Sequence, residues 1–502
     1  TTRSKADSSS PWRYSPENLS DAYFGPGESQ IAMIGQPNKL ETDDAARLIL
    51  TSSSSLPVHL SFKRDNTTLG RLQFVDTNLV LGNGSLDHLN GGSNNISIGP
   101  NNLTQVTSGG SNIAIGDNAM LSTTSGTSNI GIGTTLSSNV DGNNNVAVGD
   151  DSLTKANSSW NVAIGKNSYQ SGTGGSNTIV GGDAMSQGSG SNNVALGTNS
   201  MWYGSGDGNV SIGANSNYKN KSLTTFSNST AVGFSSYASG TNSVAIGTSA
   251  TSSDTDAIAI GNSVTADGES SIAIGSHGEA RNTLASGDGA ISIGDGAVSK
   301  EHSVALGTNA TANSAGGIAI GKSAEASPKS GYSSFSDGVA IGTNAKVEGT
   351  SCGWGPCSYT AGIAIGHDAY TMSSDGIVIG NSASAECNSV SIGYNTTTER
   401  HSVAIGHEAK AIDKSVALGY EACKDVTGSN VVCIGSGSGP TYDMDKSKDH
   451  MVYLGTSSDT VYIPGNLIVG KDTLLGARAV NDGHTYAVYL KAHNKDQWSD
   501  WV

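Results

Sequence analysis

The stretch NSVAIGTSATSSDTDAIAIGNSVTADGESSIAIG, residues 242–275, holds the pattern on which the fold turns: an apolar–small–apolar–glycine tetrad ends at Gly247, at Gly261 and again at Gly275. Within each tetrad the residues three and one before the glycine are Val or Ile, and Ala stands between them. This is the period-two alternation of a strand with one buried face. The glycine permits a turn at positive φ, and turn formers followed by a small inward Ala come next, as in T-S-A at 248–250. So short a strand cannot stand alone. Stacking successive coils at about 4.8 Å lets each backbone pair with the coil above and the coil below.

Working outward, the tetrad recurs 22 times, from ISIG ending at Gly99 to VCIG ending at Gly435. The glycines stand 16 or 17 residues apart up to Gly213, then mostly 13 or 14 apart from Gly233 to Gly419, so two styles of one coil are joined. Gly165, Gly247, Gly261, Gly275, Gly307, Gly321, Gly406 and Gly419 are typical of the turn-forming set. The longer intervals between Gly213 and Gly233, Gly275 and Gly294, Gly321 and Gly342, and Gly342 and Gly366 predict loops projecting from one edge of the stack. Val/Ile pairs are expected to align as the buried apolar ladder. Asparagines before the strands, among them Asn94, Asn95, Asn143, Asn144, Asn145 and Asn193, are placed to bond along the stack. The fold class is all-β, a parallel solenoid. A lone chain would leave apolar ladder and strand edges open, and three parallel chains about one axis would cover them, an intertwined homotrimeric fibre whose three-fold symmetry follows in part from the family resemblance of the repeat.

Composition agrees with a thin structure. Gly is 67 of 502 residues, aromatics are 6% and charged residues 14%, poor material for one thick core. The formal net charge of −16 disfavours nucleic acid and anionic membrane as partners, and no Lys/Arg cluster offsets it. No run of 18 apolar residues and no apolar leader is present in the chain as given, so no membrane insertion is expected. Five cysteines are too few for a disulfide scaffold. Cys352 and Cys357 bracket a Gly/Pro turn that could close a small loop, Cys423 and Cys433 could staple adjacent coils, and Cys387 would then be unpaired; all five could equally be reduced. No Cys or His pair stands at metal-ligand spacing, and no cofactor is expected.

N-S-V-A-I-G-T-S-A at 242–250 and H-S-V-A-I-G-H-E-A at 401–409 closely resemble the head repeat of trimeric autotransporter adhesins, whose fold is a left-handed parallel β-roll in a tight homotrimer. The longer S-N-I-A-I-G-D-N-A-M at 111–120 resembles repeats of bacteriophage tail fibres and tailspikes. V-Y-L-G-T-S-S-D-T-V-Y-I-P-G-N-L-I-V-G-K-D-T at 452–473 is similar to the short triangular β segments near the ends of phage fibres. The resemblance implies a left-handed β-roll or β-helix fibre that is extracellular, on a virion tail or, alternatively, a bacterial surface, and binds a host glycan or surface protein.

Four regions follow: residues 1–45, an arm docking onto a virion or tail attachment protein or else a poorly ordered terminus; 46–92, a β-rich neck; 93–436, the repeats; and 437–502, a β-rich distal tip. Sugar binding needs aromatic faces beside amides and hydroxyls on exposed loops. The tip offers Tyr486, Tyr489, Trp498 and Trp501, and the insertions offer Tyr332, Trp354 and Tyr359; the alternative is that these rings pack the fibre end and the loop bases. Catalysis is not expected, because a glycosidase needs two carboxylates held roughly 5 to 10 Å apart and Asp254, Asp256, Asp288 and Asp295 sit singly in turns. His277, His302, His367, His401 and His407 likewise occupy turns without triad or metal spacing.

Overall fold

The computed structural model describes residues 67–464, apart from 89–90, 137–140, 156, 219–223, 278–280, 329–336, 350–361, 373–374, 441–444, 457 and 463, and outside that span five strands: Trp12–Tyr14, Ala22–Phe24, Val58–Arg64, His493–Asn494 and Gln497–Trp498. Among the described residues there is no helix. The tetrads form strands, each paired in parallel with the next, so Val244, Ala245 and Ile246 lie opposite Ile258, Ala259 and Ile260. Backbone bonds of 2.7 to 2.9 Å stitch coil to coil, as from Gly247 N–H to Val232 O. The ladder runs one rung past the repeats at each end, through Asn78–Leu81 and Val452–Leu454, giving 24 rungs. At about 4.8 Å per rung the rod is on the order of 110 Å long.

The rod begins on an antiparallel meander. Val58–Arg64 pairs with Thr67–Val75, which pairs with Asn78–Leu81, and this last strand carries the first parallel rung on its other side, at Ile96–Ile98. The first edge of the solenoid is thereby covered by its own chain.

The face turned inward is the reverse of the one expected from sequence. The middle residue of the tetrad is fully buried, at Ala114, Ala163, Ala245, Ala305, Ala364 and Ala404, while the flanking Val and Ile are half-buried or exposed and point out. The reason is width. A closed coil of 13 or 14 residues has little room at its axis, so Ala, or Ser as at Ser292 and Ser391, takes most of the interior, and the largest residue in that inward position is Val, at Val378.

The two coil styles solve the interior differently. In the narrow coils a second parallel ladder of 12 two- to four-residue strands, from Tyr237–Ala238 to Lys410–Ala411, lies across the axis and is lined by Ala, Ser and Thr, with an occasional Val. The two or three extra residues of the wide coils bring in one large buried side chain each: Leu103, Met120, Leu136, Leu153, Tyr169, Met185 and Met201.

Wide coils also carry a buried asparagine ladder from Asn78 to Asn209. Asn112 N–H and Nδ2 donate to Asn95 Oδ1 at 2.9 and 3.0 Å, and Asn129 repeats both bonds to Asn112. Each motif glycine packs on the next. At Gly165, φ is +128° and a Cβ would lie 2.6 Å from the carbonyl oxygen of Gly181, which is why no other residue serves there.

Candidate functional site

Because the tetrad alternates and its middle residue points in, two aliphatic columns run along the outside of the whole rod. One holds Val244, Ile258 and Ile272, and the other Ile246, Ile260 and Ile274, with aliphatic equivalents on nearly every rung; Thr178 and Thr230 break the first column. The second column is the more open: Ile246 is 39% and Ile405 41% exposed, and Ile132, Ile164, Ile293, Ile379 and Ile434 are also exposed. Columns this long and regular are too large to be scattered surface apolar residues.

Beside them, one residue after the motif glycine, three successive coils place Tyr394, His407 and Tyr420 in a stacked column. Ring centroids are 4.9 and 5.1 Å apart, and the tyrosines are half exposed. Next to this column Lys424 Nζ bridges Glu408 at 2.6 Å and Glu421 at 2.7 Å. A second aromatic group, Trp202 stacked on Tyr203 and on Tyr218 at 5.2 and 5.3 Å, stands just before residues 219–223 and is largely packed. Trp160, by contrast, is 65% exposed.

The residues selected from sequence mostly fall elsewhere. Tyr486, Tyr489, Trp501, Tyr332, Trp354 and Tyr359 lie outside the described residues, and Trp498 is placed only as part of Gln497–Trp498, paired antiparallel with His493–Asn494. The bases of the two insertions are described. Glu325–Pro328 and Lys346–Gly349 pair directly, Pro328 opposite Gly349, so residues 329–336 and 350–361 follow strands that end side by side. There Lys346 Nζ meets Glu325 at 3.1 Å and Glu348 at 2.6 Å, and Tyr370 Oη donates to Glu348 Oε2 at 2.7 Å. Burial opposes the charge of Lys346, yet its hydrogen bonds to Glu348 and Glu325 more than offset this and raise its pKa above the ordinary lysine value. Burial first, and then the bond to Glu348, pushes the Tyr370 phenol up to about 12.

Cys423 and Cys433 are joined by a disulfide with Cα atoms 5.6 Å apart. Both are buried: Cys433 occupies the inward middle of its strand, and Cys423 stands four residues after Gly419, where the wide coils place Met185 or Met201. Cys387 is not the free thiol expected. It is disulfide-bonded; Cys352 and Cys357 lie outside the described residues. Linear spacing could not show this, because pairing in a solenoid follows the stack rather than the sequence; Cys387 sits in a turn of the coil two rungs beyond the one from which residues 350–361 depart.

Among the described residues no group of three or more His, Cys, Asp or Glu is placed to hold a metal ion, and no helix is long and apolar enough to cross a membrane. The turn histidines keep local company: His302 lies 3.7 Å from Glu301, His367 lies 2.8 Å from Asp368, and His277 bonds Asn282. Asp256 sits in its turn at φ +56° and accepts from Asn242 Nδ2 at 3.0 Å, which is a turn-stabilising role.

Compared with known families, residues 227–250, 238–263, 253–277 and 299–324 match the model described as YadA head domain repeat (2 copies). All four stretches belong to the narrow coils, whose parallel stack of V-A-I-G strands they share. No curated protein matches the chain.

Proposed function

We propose that this chain forms the shaft of an extracellular, non-enzymatic adhesion fibre that works as a parallel homotrimer and attaches its carrier to a host surface glycan or protein. The observation that carries the reading is the pair of outward Val/Ile columns. A monomer would hold them against water along some two dozen rungs, at a cost of roughly 25 cal/mol for each Å². Three copies about a common axis bury all of them at once, and their acidic, polar outer faces remain free to meet a receptor. The carrier proposed first is a phage-type tail, with the N-terminal arm docked on a tail attachment protein. A bacterial surface adhesin is the second carrier, and the matched head repeats are compatible with either.

Two experiments test this. Light scattering coupled to size exclusion should give three times the chain mass, and the pair Ile246→Asp and Ile405→Asp, on exposed positions of the column, should reduce it to one; a wild-type monomer sinks the assembly. Purified fibre should sediment with host cells, and incubation with their surface polysaccharide should leave its chain length unchanged. Shortened chains would overturn the non-enzymatic reading in favour of a capsule-degrading tailspike.

A further inference from the structure

We infer that Trp160 is the stacking platform of a lateral carbohydrate site on the wide-coil half of the rod, for a neutral hexopyranose unit of a surface glycan. The inference rests on the adhesion reading above and names a ligand class and a place for it.

The position is defined by the stack. Trp160 N–H donates to Asn143 O at 3.0 Å, and one coil later Ser176 N–H donates to Ser159 O at 3.0 Å, so Asn144, Trp160 and Ser176 are one column. Along that column the neighbouring coils place Asn94, Ser111, Ser128, Asn144, Ser176 and Asn192, each at positive φ between 58° and 61°. Asn and Ser suit that left-handed turn because a short polar chain tolerates it. Trp160 holds the same turn at φ +68°, where a bulky ring is disfavoured, and it is 65% exposed. The fold therefore gains nothing from an indole there, and a residue that breaks a local rule without packing in return marks a site for something else.

The surroundings suit a sugar. Asn143 Oδ1 is engaged by Thr127 N–H and Oγ1, both at 2.8 Å, which leaves its Nδ2 without a partner among the described residues. Ser176 is exposed, and the preceding residues of its coil are Gly174 and Gly175, which put no side chain beside the ring. The next strand opens with Thr178, exposed, where most other rungs carry Val or Ile. An indole offers its face to the C–H side of a pyranose, and amide and hydroxyl groups around it meet the ring hydroxyls. A chain of net charge −16 disfavours sialylated or sulfated sugars, hence a neutral hexose.

A seam between copies of the chain is the competing use of an exposed Trp. The column argues against it: a residue set of Asn and Ser that stays polar on coil after coil is a solvent-facing set, unlike the Val/Ile columns next to it.

The experiment compares the intact chain with Trp160→Asn, which restores the residue usual in the column, and with Trp160→Tyr. Each is measured on an immobilised array of neutral and acidic glycans, by light scattering for assembly, and by sedimentation with whole host cells. The inference predicts that wild type binds neutral hexose-containing glycans, that Trp160→Asn loses at least tenfold at unchanged mass, and that Trp160→Tyr retains part of the binding. Equal binding by Trp160→Asn, or no glycan bound by wild type, overturns it. So does a fall in mass for Trp160→Asn, which would make Trp160 a seam residue. Wild type that sediments with cells yet binds no glycan would remove this inference and leave the adhesion reading standing; wild type that does neither removes both.

Discussion

Asn209 Oδ1 accepts two hydrogen bonds from Ser229, one from its backbone N–H and one from its hydroxyl, each at 3.0 Å, and with that pair the asparagine ladder stops. It is also where wide coils give way to narrow ones. Ser229 keeps the bond that closes the last wide coil, but its short side chain cannot reach a further coil as an asparagine would, and from Ser243 onward a serine hydroxyl bonds back within its own turn, to Gly240 O at 2.7 Å. The change of period is thus a change in how the interior is filled.

Ladder asparagines should be hard to remove. Asn145 and Asn161 are fully buried: Asn145 Oδ1 accepts from Asn161 N–H at 2.9 Å, and Asn145 Nδ2 donates at 2.9 Å to the half-buried Ser158 O. Asn145→Ala leaves the buried Asn161 N–H and the half-buried Ser158 O without these partners and should cost about 2 kcal/mol. The readout is the denaturant midpoint at unchanged slope.

Interior width predicts opposite tolerances in the two halves. Ala305, fully buried in a narrow coil, should not accept Leu without a loss of about 3 kcal/mol or more, because the axis has no room. Met185→Leu in a wide coil keeps volume and should cost under about 1.5 kcal/mol. Paired thermal melts would show the contrast, and equal shifts would contradict the account.

The Cys423–Cys433 bridge closes a loop of sequence separation 10 inside the stack. Cys423→Ser should lower stability by about 2 to 3 kcal/mol and leave a melting curve whose response to reductant comes from Cys387 alone. A variant as stable as wild type would show that the bridge adds nothing to packing.

Tyr370 gives a pH signature. Its phenol titrates at about 12 in the folded chain against an ordinary value of 10.0, so the folded state holds the proton more tightly. The associated stability is complete below pH 10 and is lost as pH rises towards 12. Ultraviolet difference titration of Tyr370→Phe should lose one late-ionising phenol relative to wild type, while Tyr169 and Tyr453, which burial also holds above the ordinary range, remain.

Much of this was legible in the sequence. Periodicity fixes strand, turn and stacking at once, because a glycine every 13 to 17 residues leaves one way to wind. Which face turns inward was not legible. Alternation says that Ala245 and its neighbours Val244 and Ile246 point opposite ways, and hydrophobicity alone assigns the branched pair to the inside; only the closed width of the coil reverses that assignment. Trp160 was missed for a related reason. Its signal lies not in a loop or at the tip but in the column: a Trp where neighbouring coils carry Asn or Ser, visible once the coils are aligned one beneath another.

Gly247, Gly261 and Gly275 sit directly on one another, and each coil bonds chiefly to the coil before and the coil after it. Excising residues 248–261 would bring together two surfaces that already match, so the molecule would come out shorter by one step and otherwise unaltered. Length here is a dial that duplication or deletion of whole turns can move without redesigning any contact, and the reach of the fibre can change while its construction does not.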